Sequence, residues 1–350
     1  MQPIFNPDST GNGHTGTCVN CGCEGVIPGY RHALCGDCRS YFVRFPIPRW
    51  VQLFGAAVLL LLALALTQFP KRFSAALSLQ RAKQAIQQKK YVTAQRRLQD
   101  VVADQPGCLD AKKYLAVAAF YNFDFAELDR MDSILAGTDI EETNAADNEL
   151  DYVLRRYKDY YPSDSLRPKL DAYKDSAETL QLSLYNTWLQ QYPDDFAYIT
   201  TLYASACISL DKYAMADSLL NTALHRNGNH MRVLRYKVYL KQQLHQSDSA
   251  LYFCDRILAI NKEATIALAP KARILLRQGK KKDALQLAEE SYSLSQGDAY
   301  SMATLALAYH FNKKFGERDR LIQQASHDSV QASYMEYARD VISGKENFNP

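Results

Sequence analysis

Five of the eight cysteines fall within CVNCGCEGVIPGYRHALCGDC, between positions 18 and 38. Cys18-x2-Cys21, thirteen residues, and Cys35-x2-Cys38 make two pairs. Two intervening residues let one tight turn aim both sulfurs at the same ion, and two such turns complete a tetrahedron around Zn2+ with Zn–S of about 2.3 Å. Four thiolates fill the shell and leave no place for a catalytic water, so the expected chemistry is structural zinc rather than hydrolysis. Cys23 stands one residue beyond Cys21, reaches the same ion less easily, and is left outside the set, although it is placed to substitute for Cys21. Gly22 and Gly36 border the turns, where backbone amides crowd toward sulfur and a side chain is expected to obstruct. A redox use of CxxC needs a strand-and-helix setting larger than the stretch before Trp50 can hold.

The two knuckles, CVNCG and CGDCR, resemble those of the zinc-ribbon family, over residues 18 to 38 only. That resemblance implies a metal site and no activity. Residues 1 to 49 carry Arg31, Arg39, Arg44 and Arg49 against Asp8, Glu24 and Asp37, and zinc with four thiolates removes two further charges. A module close to neutral is the opposite of what phosphate neutralisation requires. The whole chain, with 41 basic and 38 acidic residues and a net charge of +3, offers no electrostatic case for nucleic acid either.

Beyond the cysteines the chemistry thins. The seven histidines are scattered, and no GxSxG, HExxH, Walker or dinucleotide-binding glycine pattern occurs in the 350 residues. The expectation is a protein that is not an enzyme and has no small-molecule substrate. Cys108, Cys207 and Cys254 lie far apart and read as packing residues.

The elements that hold these residues begin with a run of apolar side chains. From Trp50 to Phe69 the polar ones are Gln52, Thr67 and Gln68. At about 1.5 Å per residue, roughly 20 residues span a hydrocarbon core of about 30 Å, so the run predicts one transmembrane helix over 50–69. Arg49 and Trp50 mark one interface, and Phe69, Pro70, Lys71 and Arg72 the other. Basic residues flank both ends and do not set the orientation. Thiolate-bound zinc is easiest to keep in a reducing compartment, which places the N-terminus in the cytoplasm and the C-terminal domain on the far side.

After Arg72 the useful signal is self-similarity at a fixed spacing. Ala204, Val238, Ala272 and Ala306 recur at one constant interval. Ala216, Ala250 and Ala284 share it, and a third series runs Leu220, Cys254, Ala288 and Ile322. A helix-turn-helix unit needs this: a small residue on each helix where backbones approach, and a larger one against the next unit. The pattern resembles the tetratricopeptide repeat family, whose period is about 34 residues and whose small residues fall at the eighth and twentieth positions. Units begin near Ala197, Met231, Thr265 and Ala299, and an earlier one spans Ala75 to Cys108. Leu115, Ala116 and Phe125 fit a second early unit, in which Leu128 replaces the small residue. GTDIEETNAADNE reads as an interrupting loop.

The predicted order is a disordered N-terminus at 1–17, a zinc-ribbon-like module and linker at 18–49, a transmembrane helix at 50–69, and repeats at 73–140. Divergent helical repeats follow at 141–196, four repeats at 197–332, and a capping helix and frayed tail at 333–350. The fold class is an all-α helical-hairpin solenoid.

In the tetratricopeptide family, positions two, five, nine and twelve of each first helix face a concave groove. The resemblance therefore implies a groove carrying Tyr198, Arg232, Arg235, Tyr239, Arg273, Tyr300 and His310. Arginines and tyrosines together suit an extended peptide with acidic side chains or a free carboxylate. The functional expectation is a non-catalytic, membrane-anchored scaffold or adaptor for protein partners. The alternatives are a transmembrane signalling or sensing component and a non-catalytic subunit of a membrane-associated enzyme or envelope assembly.

Overall fold

The computed structural model describes residues 16–43, 48–136, 145–174, 182–325 and 329–348, with the backbone alone described at 64–72, 173–174 and 329. Most of the expected disordered N-terminus, part of the linker and residues 137–144 of the expected loop lie outside the described residues. The chain divides into two units, Met1–Pro70 and Lys71–Pro350.

Among the described residues of the first unit, little regular structure precedes the helices. Two isolated antiparallel bridges, Thr17 with Glu24 and Val26 with Cys35, fold the first knuckle back on itself and tie it to the second. Helix α1 (Gly36–Val43) then starts inside the second knuckle.

Helix α2 (Arg49–Gln87) contains the apolar run and overturns the membrane assignment. Among the described residues, no helix is long and apolar enough to cross a membrane. The helix does not stop near Phe69 either, but continues to Gln87, where Ala75, Ala82 and Ala85 are buried as one side of a hairpin. The single-pass anchor, the cytoplasmic N-terminus and the placement of the repeats on a far side all fall with it.

In the second unit, α3 (Tyr91–Asp104), α4 (Leu109–Tyr121) and α5 (Phe125–Leu135) complete two early hairpins with the end of α2. Next come α6 (Ala145–Tyr157), α7 (Arg167–Lys174) and α8 (Leu182–Gln191). Four hairpins follow: α9 (Phe196–Ser209) with α10 (Tyr213–Arg226), α11 (Met231–Gln243) with α12 (Ser247–Ile260), α13 (Thr265–Arg277) with α14 (Lys281–Leu294), and α15 (Ala299–Phe311) with α16 (Phe315–Ala325). Helix α17 (Ser329–Ser343) closes the stack on α15.

Small residues make this packing possible. Ala82, Ala94, Ala204, Ala216, Ala250, Ala272, Ala284 and Ala306 are all fully buried. A methyl group there lets two helix axes approach, and the larger Leu98, Leu220 and Cys254 fill the space beside them. Leu128 is buried as well despite its bulk, so the second early unit keeps its register.

The turns repeat as faithfully as the cores. Lys89, Phe123, Asp211, His245 and Lys313 have φ between 54° and 61°, and Gly279 has φ 77°. Lys89 and Phe123 are one repeat period apart, and so are Asp211, His245, Gly279 and Lys313 in turn. The next amide donates back to the same carbonyl position in every case, as in Lys90 to Ala85 and Lys280 to Leu275 (2.8 and 2.9 Å). Each first helix therefore ends in the same left-handed cap, with glycine at only one of six places where glycine is preferred.

Residues 145 to 195 depart from this pattern. Helix α6 packs on α4 and begins at Ala145, inside the segment expected to be a loop. A 3-10 turn at Lys158–Tyr160 presents Tyr160, whose hydroxyl accepts from the Met231 amide (3.1 Å) and whose ring stacks on His230 at 4.3 Å. At the far end, Phe348 lies against Phe311 (5.3 Å), so the tail is packed rather than frayed up to that residue.

The early hairpins also return onto the later ones. Glu263 is buried and accepts from the amide and hydroxyl of Thr93 (2.8 and 2.6 Å). Asn261 donates to Tyr121 O (3.0 Å) and Asn122 Oδ1 (3.1 Å), while Lys262 donates to Lys89 O (2.9 Å). Arg96 reaches Leu294 O (2.5 Å), satisfying a carbonyl at the end of α14. An edge of the N-terminal hairpins is thus latched across the α12–α13 turn.

Candidate functional site

Two places gather chemistry-bearing side chains, one in each unit. In the first, Cys18, Cys21, Cys35 and Cys38 bring their sulfurs within 4.8 Å of one another. Tetrahedral zinc with Zn–S of about 2.3 Å sets its sulfurs about 3.8 Å apart, so this donor set fits the ion with little adjustment. Cys18 and Cys35 are buried and Cys38 is half-buried, while Cys21 is exposed.

The local fold supplies donors to sulfur. The Cys38 amide lies 3.4 Å from Cys35 Sγ, and Asn20 Nδ2 lies 3.3 Å from Cys38 Sγ. The backbone of Cys35 is the largest influence on the Cys18 thiol and, against the cost of burial, brings it down to about 6. Cys23 lies outside the group of four, its sulfur 2.9 Å from that of Cys21. Hydrogen bonding to Cys21 and then Cys35 pushes the Cys23 thiol up to about 12, but the Cys38 thiol stands as high, so it is position and not proton affinity that sets Cys23 apart.

The glycines act differently from expectation. A Cβ on Gly22 would meet nothing within 4 Å; its φ of 73° is the reason for glycine. Gly36 has only Ile27 Cδ1 at 3.9 Å and shows neither constraint.

In the second unit, the seven residues expected on the groove separate into two sets. Arg235, Tyr239 and Tyr300 line one cavity of about 460 Å3, together with Tyr236, Gln242, Pro270 and Tyr334. Arg273 and Tyr300 line an adjoining space of about 310 Å3 with Ser333, Tyr334 and Tyr337. Four of the seven therefore share one recess, because positions five and nine of α11, nine of α13 and two of α15 point the same way.

The other three are engaged elsewhere. Arg232 donates to Tyr160 O (2.9 Å) and sits over the Tyr160 ring, so it pins the 3-10 turn. Tyr198 packs beside the cluster containing Trp188 and Tyr203. His310 Nδ1 meets Arg318 Nη1 at 3.1 Å, and burial followed by the Arg318 charge lowers its pKa, which suits a neutral acceptor.

Within the recess Arg235 and Tyr239 are exposed and Tyr300 is half-buried. Gln242 is 8% exposed, and its Nε2 finds no partner among the described residues. Tyr334 and Tyr337, on α17, were not expected. Each lies one repeat period beyond a first-helix position of the preceding unit, Tyr300 and Ala303, so extending the count by one unit finds them.

Paired helices in one repeating register, ended by one recurrent cap, define an all-α, tetratricopeptide-like helical repeat fold. No family model and no curated protein matches the sequence. Among solved structures, the chain is similar to a tetratricopeptide repeat protein from Parabacteroides merdae, with 14% identity and a TM-score of 0.38 over 78% of this chain and 91% of that one. It is also similar to yeast Tom70 (14%, 0.40, 73% and 59%) and to the P58(IPK) TPR domain (16%, 0.30, 81% and 82%). Likeness at this level carries no functional argument.

Proposed function

We propose that the protein is a non-catalytic adaptor whose repeat unit captures an extended segment of a partner protein in the recess between α11, α13, α15 and α17. The observation that carries this reading is the cavity of about 460 Å3 in which exposed Arg235 and Tyr239 stand beside Tyr236, Tyr300 and Tyr334. Tyrosine and arginine supply large contact areas and directional donors, and both are enriched where protein interfaces hold most of their energy. Arg235 attracts an acidic side chain at its end of the cavity while Asp298, which also lines it, repels one at the other, and the apolar wall from Ile266 and Pro270 accepts an aliphatic or aromatic side chain. The four-cysteine module, in this reading, holds one structural zinc ion that fixes its two knuckles and takes no part in turnover.

Peptides selected from a displayed random library against the full chain should bind in the micromolar range. Arg235→Glu with Tyr239→Ala should weaken that binding at least tenfold, about 1.4 kcal/mol, while leaving the thermal midpoint in place. Selected peptides that bind the double variant as tightly as the parent would contradict the reading.

A further inference from the structure

Among the cysteines of the first unit, the four-thiolate site leaves Cys23 unused. Cys23 is exposed, and so is Cys21, whereas Cys18 and Cys35 are only 3% and 6% exposed. The sulfurs of Cys21 and Cys23 lie 2.9 Å apart, nearer than those of Cys21 and Cys35 at 3.5 Å. The backbone holds the pair in place. Gly22, between them, has φ 73° and its amide donates to Cys18 O, while the Cys18 amide donates to Cys23 O, both at 2.8 Å. The bridge between Thr17 and Glu24 closes the same loop. Two residues of extended chain span about 7 Å, and a bend shortens this into the range of about 4.4–6.8 Å that a disulfide accepts between Cα atoms.

We infer that Cys21 and Cys23 form an oxidative modification site, at which a hydroperoxide turns an exposed zinc ligand into half of a disulfide and so releases the metal. The inference rests on the structural-zinc reading above. The Cys21 thiolate attacks a peroxide oxygen, the O–O bond breaks, and a sulfenic acid and hydroxide result. The Cys23 sulfur then attacks that of Cys21, the S–O bond breaks, and the thiol proton leaves with the departing oxygen as water. Two electrons pass from the two sulfurs to the peroxide, which ends as one water and one hydroxide. Cys21 is the ligand that an oxidant in solution reaches most readily, because its partners Cys18 and Cys35 are buried and Cys38 is half-buried. Three thiolates remain, without the fourth ligand that structural zinc takes, and metal affinity falls. Cys23 also makes the change reversible. A sulfenic acid with no thiol in reach meets more peroxide and passes to sulfinic acid, which thiol reductants do not restore.

The test treats the zinc-loaded protein with hydrogen peroxide in the presence of a chromophoric chelator, locates the disulfide by tandem mass spectrometry, and then supplies dithiothreitol and fresh zinc. A Cys21–Cys23 disulfide as the main product, zinc released in step with it, and full recovery of the metal after reduction are expected. Cys23→Ser should bind zinc as the parent does before oxidation, but recover less than about half of it after reduction, with Cys21 carried to sulfinic acid. The disulfide map of the parent decides the matter alone if that variant fails to fold. A main disulfide from Cys21 to Cys18, Cys35 or Cys38, zinc retained after the Cys21–Cys23 disulfide has formed, or equal recovery in Cys23→Ser would overturn the inference. Each of those results leaves the structural-zinc reading standing, whereas a protein that binds no zinc before oxidation would overturn both.

Discussion

At the scale of single residues, position separates the four cysteines proposed to hold zinc from Cys23, whose sulfur lies outside their cluster. The protein should carry one zinc ion per chain, and Cys35→Ser should lower the metal content below half, whereas Cys23→Ser should leave it unchanged. Elemental analysis of the purified variants checks this, and full zinc occupancy in Cys35→Ser would count against the four-thiolate site. His230 gives a second residue-level outcome. It is 1% exposed, its Nδ1 accepts from the Val233 amide at 3.4 Å, and burial above all pushes its pKa down. A base held neutral in the fold binds fewer protons than it does unfolded. Its contribution is therefore complete above the unfolded pKa of about 6.5 and is lost progressively as pH falls below that value. His230→Asn keeps a capping acceptor, loses the stacking on Tyr160 worth about 1 kcal/mol, and should flatten the decline in thermal midpoint between pH 7 and pH 5. A slope unchanged by the substitution would assign it to other groups. The ligand spacing was open to reading because CxxC pairs are local. The engagement of Arg232 was not, since Tyr160 is distant in sequence, in a segment without the repeat signature.

At the scale of elements, the recurrent cap is the sharpest regularity. Five of its six left-handed positions carry a side chain, at Lys89, Phe123, Asp211, His245 and Lys313. Replacing His245 or Lys313 with glycine removes the left-handed strain at some cost in unfolded-chain entropy, and should stabilise the fold by up to about 1 kcal/mol. Gly279→Ala should destabilise it by about 1 kcal/mol through φ alone, because the added Cβ meets nothing within 4 Å. Denaturant midpoints at unchanged m-value measure both, and a stabilising Gly279→Ala would refute the assignment. The constant register made the hairpins legible, since each small residue recurs where two backbones meet. It failed where the repeat stopped: α6 starts at Ala145 because its apolar face packs on α4 rather than on a hairpin partner, and no periodic signal reports that. The apolar stretch of α2 misled for a related reason. Hydropathy along a window measures composition, whereas the same helix continues to Gln87 and buries Ala75, Ala82 and Ala85 among the repeats.

At the scale of the whole molecule, the early hairpins are latched across the α12–α13 turn by Thr93, Asn122, Asn261 and Glu263. Polar groups with long sequence separation form that latch, and nothing in the periodic pattern announces it. Its consequence is that Thr265 and Ile266, at the start of α13, border both the latch and the recess. The recess thus borders a polar latch between hairpins distant in sequence, which limits the reorganisation needed when a partner segment enters. The central claim, that partners are captured on the inner face through Tyr239 and its neighbours, predicts where a bound chain lies. Photo-crosslinking residues placed singly at Tyr239, in the recess, and at Tyr252, exposed on the second helix of the same hairpin, test it with one library-selected peptide. Crosslinking at Tyr239 and none above background at Tyr252 is the predicted result; crosslinking at Tyr252 that equals or exceeds that at Tyr239 would contradict the account.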